Sequence, residues 1–351
     1  MSPQHAARAQ NNRMLVIGTV VFYLVAALAM VMANKWVLKK TEAPLFFLFC
    51  QLLIAVILFL ASHTAGLIQV PLYVDAQLVK GLAPMIALNV VGLSFSNYTL
   101  KYVDASFYPV ARGMVLPFTV GTSYIMLNSR PSLRILFSCS VVTLGFFVGV
   151  FLDSIPMSLV GVSFGVASSG ITAVHSVVIK KSLDVVKGSA MNLSWYTNLL
   201  SVVVIMPLVV IAGELPAIAD LLSGVDLDPI DGAMSPLQTF IWGSILTGSI
   251  GFLMSIASLL SIKVTSPITH MVSSAVRGVA GSLLGIWLFS EPFSIGRGAS
   301  IAIILAGSIY YTWVKHEETQ APKERDGSKY ERVPLEDVEA GKSTPTKPAS
   351  D

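Results

Sequence analysis

Two arginines sit where arginine is costly. Arg112 and Arg277 lie inside otherwise apolar runs, and an ionised guanidinium in hydrocarbon costs from about 3 to over 10 kcal/mol. Such a group normally faces a water-filled cavity and takes a counter-charge. The apolar runs contain no acidic residue; Asp104, Asp153 and Glu291 all fall at their ends. An anionic ligand is then the natural counter-charge, and the planar guanidinium fork matches phosphate bidentately. Snorkelling to an interface, or bonding to helix-end carbonyls, is the alternative for each. Lys35, which follows Asn34 at the end of the first run, fits either role.

Polar groups cluster beside these cations. His270, Ser273, Ser274 and Arg277 are three, one and three residues apart, so they share one helix face, with Thr269 just before them. Tyr108, Pro109, Arg112, Gly113 and Pro117 lie in another run. A third carries Asn192, Trp195, Tyr196 and Asn198. An aromatic ring beside an amide offers a nucleobase a stacking face with a donor and an acceptor. An interfacial aromatic belt and a helix–helix hydrogen bond would explain the same residues.

These residues need apolar scaffolding, and the composition supplies it. Of 351 residues only 43 are charged (12%), 16 of them beyond residue 314, while 54% are hydrophobic. A soluble fold of this size would have too few polar groups to cover its surface. A soluble enzyme, a disulfide-stapled domain and a disordered chain are thereby excluded, and net charge +3 is too small to imply nucleic acid binding. No HExxH or carboxylate dyad sits in the runs. Cys50 and Cys139 read as small packing residues, and no metal or cofactor is implied.

The pattern predicts an all-α polytopic membrane protein with ten transmembrane helices, at about 14–37, 43–62, 80–100, 105–127, 133–152, 158–180, 191–213, 238–261, 266–289 and 295–314. An even number puts both termini on one side. If that side is the cytosol, ten basic residues flank the cytosolic ends against five on the other, leaving out the far tail. Residues 1–13 then form a cytosolic N-terminal segment. Residues 315–351, charged and rich in Pro, Ser and Thr, are expected to be disordered. The stretch from Glu214 to about Leu237, with Asp220, Asp226, Asp228 and Asp231, is expected to be a loop. Gly145, Gly149, Gly161, Gly165, Gly170, Gly281 and Gly285 read as helix-packing positions.

The halves echo each other in order. Phe49-Cys-Gln-Leu-Leu53 parallels Tyr196-Thr-Asn-Leu-Leu200, Ala111-Arg-Gly113 parallels Val276-Arg-Gly278, and Asn128-Ser-Arg-Pro131 parallels Phe289-Ser-Glu-Pro292. Five spans per half would insert the second repeat (153–314) upside down relative to the first (14–152). Inverted repeats are a transporter feature, with the substrate at the midplane.

On these residues the chain resembles the nucleotide-sugar and triose-phosphate transporters of the drug/metabolite transporter superfamily. The resemblance rests on Ala33-Asn-Lys35, Leu100-Lys-Tyr-Val103, Ser106-Phe-Tyr-Pro-Val-Ala-Arg112, Trp195-Tyr-Thr-Asn198, Gly213-Glu-Leu215 and Ile262-Lys-Val-Thr-Ser-Pro-Ile-Thr-His270. Within the superfamily it looks most like the Golgi GDP-fucose transporters. The resemblance implies exchange of a cytosolic nucleotide sugar for a lumenal nucleoside monophosphate in a Golgi membrane, or alternatively that of the endoplasmic reticulum. It implies phosphate held by Arg277 and, as in the triose-phosphate branch, by Arg112, and a base read by Tyr196 and Asn198. Beside these, the residues themselves suggest Lys35 at the phosphate, Trp195 at the base, and a cavity lined by Asn34, Tyr108, Thr269, His270, Ser273 and Ser274. The implied partners are these nucleotides and the lipid bilayer, with a homodimer as the one protein partner. Two alternatives stay open, a sugar-phosphate or organic-phosphate antiporter and a UDP-sugar transporter. The chain departs from the GDP-sugar pattern at Trp195 and Thr197, and has Arg277 where lysine is usual.

Overall fold

The computed structural model describes the backbone of residues 3–223, 234–264 and 267–327, with side chains except those of 3–17, 19–20, 180, 256–276 and 320–327. All regular structure among these residues is helical: α1 (Pro3–Leu38), α2 (Pro44–Thr64), α3 (Ala76–Tyr102), α4 (Tyr108–Ala111), α5 (Val115–Leu127), α6 (Leu133–Phe151), α7 (Leu159–Val185), α8 (Ala190–Ile211), α9 (Leu215–Ser223), α10 (Pro236–Val264), α11 (Pro267–Phe289) and α12 (Ile295–Gly327). Eight segments among the described residues are long and apolar enough to cross a membrane, counting α4 and α5 as one. The last two expected spans coincide with α11 and α12. The described apolar part of α11 is Arg277–Phe289, and α12 is more polar than a simple span.

Serines start three of the helices. Ser132, Ser158 and Ser189 accept hydrogen bonds from the backbone N–H of Ile135, Gly161 and Asn192, satisfying donors that a helix start leaves open. Helices α2 and α8 end alike. Gly66 (φ +73°) and Gly213 (φ +72°) take the left-handed conformation; the next residues, Leu67 and Glu214, donate back to Ser62 and Val209. Asn128 closes α5 and Ser290 follows α11, also at positive φ (49° and 52°).

Large apolar side chains such as Leu133, Ile125 and Trp287 point outward, as a lipid-facing surface requires. Inside, α3 packs on α7 and α10 on α1; α2 packs on α10 and α3 on α8; α5 packs on α7 and α11 on α1; α2 meets α8, and α6 meets α12. Close approach follows the small residues. A methyl group at Gly149 would lie 2.5 Å from Ser300 Oγ, and one at Gly165 2.8 Å from the Ala111 carbonyl oxygen. Gly145, Gly161 and Gly285 are equally tight, whereas Gly170 and Gly281 make only ordinary contacts. Gly165→Ala should therefore push α7 away from α4 and cost about 1–3 kcal/mol, the usual range for overpacking. A fall in melting temperature of the purified protein would register it.

Four details sharpen the expected outline. The fourth span is a short helix and a longer one, parted at Arg112–Met114. Pro117 has no N–H to bond the Gly113 carbonyl, and its ring clashes with that carbonyl in a continuous helix. The expected loop after Glu214 contains α9, whose Pro216 suits a helix's first turn; residues 224–233, with Asp226, Asp228 and Asp231, lie outside the described residues. Disorder expected from residue 315 does not begin there: α12 runs through Gly327, on Lys, Glu, Gln and Arg, which favour helix. Arg134 pairs with Glu317 along it (3.0 Å), and residues 328–351 lie outside the described range. At the other terminus α1 is already helical from Pro3, within the segment set apart as 1–13.

Candidate functional site

Arg112 occupies the break between α4 and α5. Its Nη1 donates to the Tyr108 hydroxyl (3.0 Å) and its Nη2 to Thr172 Oγ1 (2.8 Å), with the guanidinium 5.7 Å from the Tyr108 ring centroid. Thr172 in turn donates to the Ser168 carbonyl (2.7 Å), so its oxygen is left to accept from the arginine. Tyr108 shares a 2.6 Å hydrogen bond with Ser96 on α3. Side chains from three elements thus fix the guanidinium. No carboxylate among the described residues pairs with it, and its buried Nε–H has no partner among them.

The height of this group is informative. Thr172 is the central residue of α7, so the guanidinium beside it is roughly 20 Å from either helix end, at 1.5 Å per residue. The sequence places Arg112 only seven residues into its span; the side chain reaches inward from there. Asn89, central in α3, donates to Ser201 Oγ on α8 at 3.1 Å. Half-buried Arg277 lies one residue from the centre of α11. Its neighbour Gly278 faces Pro109, and Ser282 on α11 donates to the Ser106 carbonyl (2.9 Å). The segments carrying the two arginines are therefore in contact.

Other expected site residues have different surroundings. Lys35 is buried and donates to the carbonyls of Leu100 (2.9 Å) and Val103 (2.5 Å), at the end of α3, where a cation meets the negative end of the helix dipole. Asn34 accepts from Gln51 Nε2 (2.7 Å). Trp195 donates from Nε1 to the Pro71 carbonyl (2.8 Å) and Tyr196 from its hydroxyl to the Tyr73 carbonyl (2.9 Å). With 2% and 1% exposure, neither ring offers a free face. In this structure they tie the α2–α3 connection to α8, so the stacking role expected of them is not formed. Half-buried Asn198 donates to the Ser194 carbonyl (2.8 Å). The side chains of Thr269, His270, Ser273 and Ser274 lie outside the described residues. Tyr196→Phe should cost about 1 kcal/mol, the net worth of one hydrogen bond, read as a small drop in melting temperature.

A second polar cluster, not anticipated from the sequence, lies at the end of the bundle near Lys35. Arg297, 1% exposed, donates to Asp153 (3.0 Å), Asp104 (3.2 Å), Ser106 Oγ (2.6 Å) and the Pro292 carbonyl (3.3 Å), and lies 5.4 Å from the Phe107 ring centroid. Glu291 accepts from the backbone N–H of Ala105 and Ser106, both at 2.8 Å. Glu214, which follows Gly213, likewise accepts from Leu45 (3.0 Å) and Phe46 (2.9 Å) at the start of α2, and from the Tyr98 hydroxyl at 3.1 Å. An acid directly after a helix-ending glycine or serine was the sequence signal for both glutamates.

The Asp153 carboxyl feels opposing influences. Burial works to raise its pKa, but hydrogen bonds from the Ser294 hydroxyl and the Ile155 N–H, with the Arg297 guanidinium, together hold it below the ordinary aspartate range. A depressed carboxylate stabilises the fold above its unfolded-state pKa and loses that contribution as pH falls through the folded value. The purified protein should therefore become less heat-stable as pH drops below about 4. Asp153→Asn should flatten that part of the melting profile.

The described residues thus form a helical membrane bundle whose mid-height arginine is held by neutral hydroxyls. The chain belongs to the Triose-phosphate Transporter family, whose model matches residues 14–312; it is a transporter and not an enzyme. It is similar to "GDP-fucose transporter 1" of Mus musculus, at 31% identity over 90% of this chain and 88% of that one. It is similar also to "GDP-fucose transporter 1" of Monosiga brevicollis (29%; 93% and 97%) and to "GDP-fucose transporter" of Caenorhabditis elegans (30%; 86% and 82%). A solved crystal structure 12% identical to this chain matches with TM-score 0.52, over 88% of this chain and 98% of that one, a likeness of fold alone.

Proposed function

We propose that this protein carries a nucleotide sugar, GDP-fucose or another GDP-sugar, across a Golgi membrane in exchange for GMP, by alternating access. The observation that carries the proposal is the buried Nε–H of Arg112, left without a partner among the described residues while both Nη groups are anchored. A phosphate oxygen supplies the missing acceptor and the missing negative charge. Arg277, on the helix packed against the Arg112 segment, is the second phosphate residue, and Asn198 the residue for the base. Lys35 acts by capping α3, and Trp195 and Tyr196 by bracing α8. The nucleotide assignment is supported by relatives named GDP-fucose transporter, one of them "GDP-fucose transporter, Golgi" of Drosophila melanogaster.

The architecture proposed is ten spans in two inverted repeats, with both termini cytosolic. Exchanging α1 with α7, α2 with α8, α3 with α10, the α4–α5 unit with α11, and α6 with α12 converts the main packing pairs into one another. The matched endings of α2 and α8 support the same pairing. Carriers of this kind also bind substrate beside discontinuous helices. Obligate exchange follows from cost: an empty site leaves the Arg112 charge in hydrocarbon during the transition, whereas either nucleotide neutralises it. A homodimer is compatible with this scheme but not required.

Thermal-shift titration of the purified protein tests the substrate class, since a ligand of the folded state raises the melting point by mass action. GMP and GDP-fucose should each stabilise. Stabilisation by UMP instead would favour a UDP-sugar carrier, and stabilisation by sugar phosphates with indifference to GMP would favour an organic-phosphate antiporter.

A further inference from the structure

The segment 104–112 bonds in turn to the Arg297 cluster and to the mid-height site. Asp104 pairs with Arg297; the N–H groups of Ala105 and Ser106 bind Glu291; Ser106 Oγ accepts from Arg297; and the Phe107 ring lies beside the same guanidinium. The next residue, Tyr108, bonds to Arg112 and Ser96. Five consecutive residues, 104–108, thus join the buried ion cluster to the guanidinium proposed to hold phosphate, and the helix breaks one short turn later, at Arg112–Met114.

The cluster also fastens together most elements at that end of the bundle. Arg297 belongs to α12 and Asp153 follows α6; Glu291 follows α11; Lys35 of α1 holds the end of α3. A fully buried arginine between two carboxylates has little to gain from a static bundle, since a well-packed apolar replacement is often as stable. Water entering from that end, by contrast, can solvate each ion as it separates.

We infer that the Arg297–Asp153–Asp104 cluster with Glu291 closes this end of the carrier, and that segment 104–112 couples its opening to occupancy of Arg112. A phosphate drawn onto the Arg112 Nε edge competes with the Tyr108 and Thr172 hydroxyls for the guanidinium. Movement there is passed along five residues to the cluster. The coupling rests on the phosphate assignment made above; the closure does not.

Ala105, 1% exposed beneath the cluster, provides the reporter. In full-length protein carrying Cys50→Ser and Cys139→Ser, Ala105→Cys should react slowly with a membrane-impermeant maleimide in detergent. Adding Asp153→Asn should raise the labelling rate by about tenfold or more, because the buried guanidinium loses a counter-charge. Asp104→Asn is the milder variant if the first does not fold, since the Asp104 side chain is 37% exposed. GMP should raise the rate in the intact cluster. An unchanged rate in the folded Asp variant overturns the closure. A GMP thermal shift without faster labelling overturns the coupling. If GMP gives no thermal shift, the nucleotide reading and the coupling fall together, while the Asp variants still decide the closure.

Discussion

Proteoliposomes loaded with GMP and carrying Arg112→Ala should take up GDP-fucose at least about a hundredfold more slowly than wild type. A charge-assisted hydrogen bond is worth about 1.5–3 kcal/mol, and a bidentate phosphate contact contains two. The variant should nevertheless fold. Among the described residues the partners of Arg112 are the hydroxyls of Tyr108 and Thr172, so its removal strands no buried carboxylate. Arg112→Lys keeps the charge but loses the fork, and should recover only part of the rate, staying about tenfold down. Uptake by Arg112→Ala within a few-fold of wild type would remove the phosphate assignment, provided the wild type transports in the same assay.

Arg297→Ala should show the reverse pattern, a large loss of stability. The same residue type is here fully buried between two carboxylates. Breaking a buried ion pair by removing one partner costs about 3–5 kcal/mol, because the other charge stays buried. Asp153, whose side chain has no exposed surface, would carry that penalty, with Asp104 and Glu291 close by. The melting temperature should fall much further than in Arg112→Ala, or expression should fail. Equal melting temperatures for the two variants would refute the contrast drawn between these arginines.

The two arginines show what was legible. Both are isolated cations near apolar runs, and in the sequence Arg112 stands out while Arg297 looks like an interfacial charge. In the fold Arg297 is the more buried, because loops after α3 and α6 bring Asp104 and Asp153 to it from 193 and 144 residues away. No local pattern encodes such pairs. Thr172, the hydroxyl that fixes Arg112, is one of many small polar residues in α7. Only the packing of α7 against the α4–α5 unit singles it out. Trp195 and Tyr196 were legible as aromatics beside an amide, but not as braces for Pro71 and Tyr73, since that depends on how the α2–α3 connection folds back.

The order of apolar stretches, the scarcity of charge and the serine and glycine punctuation determined a helical membrane bundle, because hydrocarbon leaves a backbone few ways to satisfy its own hydrogen bonds. Pro117 further marked where one of those helices would part. Which charges neutralise one another was decided only by the tertiary structure. Electrostatic pairing depends on distance through space, and distance along the chain carries almost no information about it.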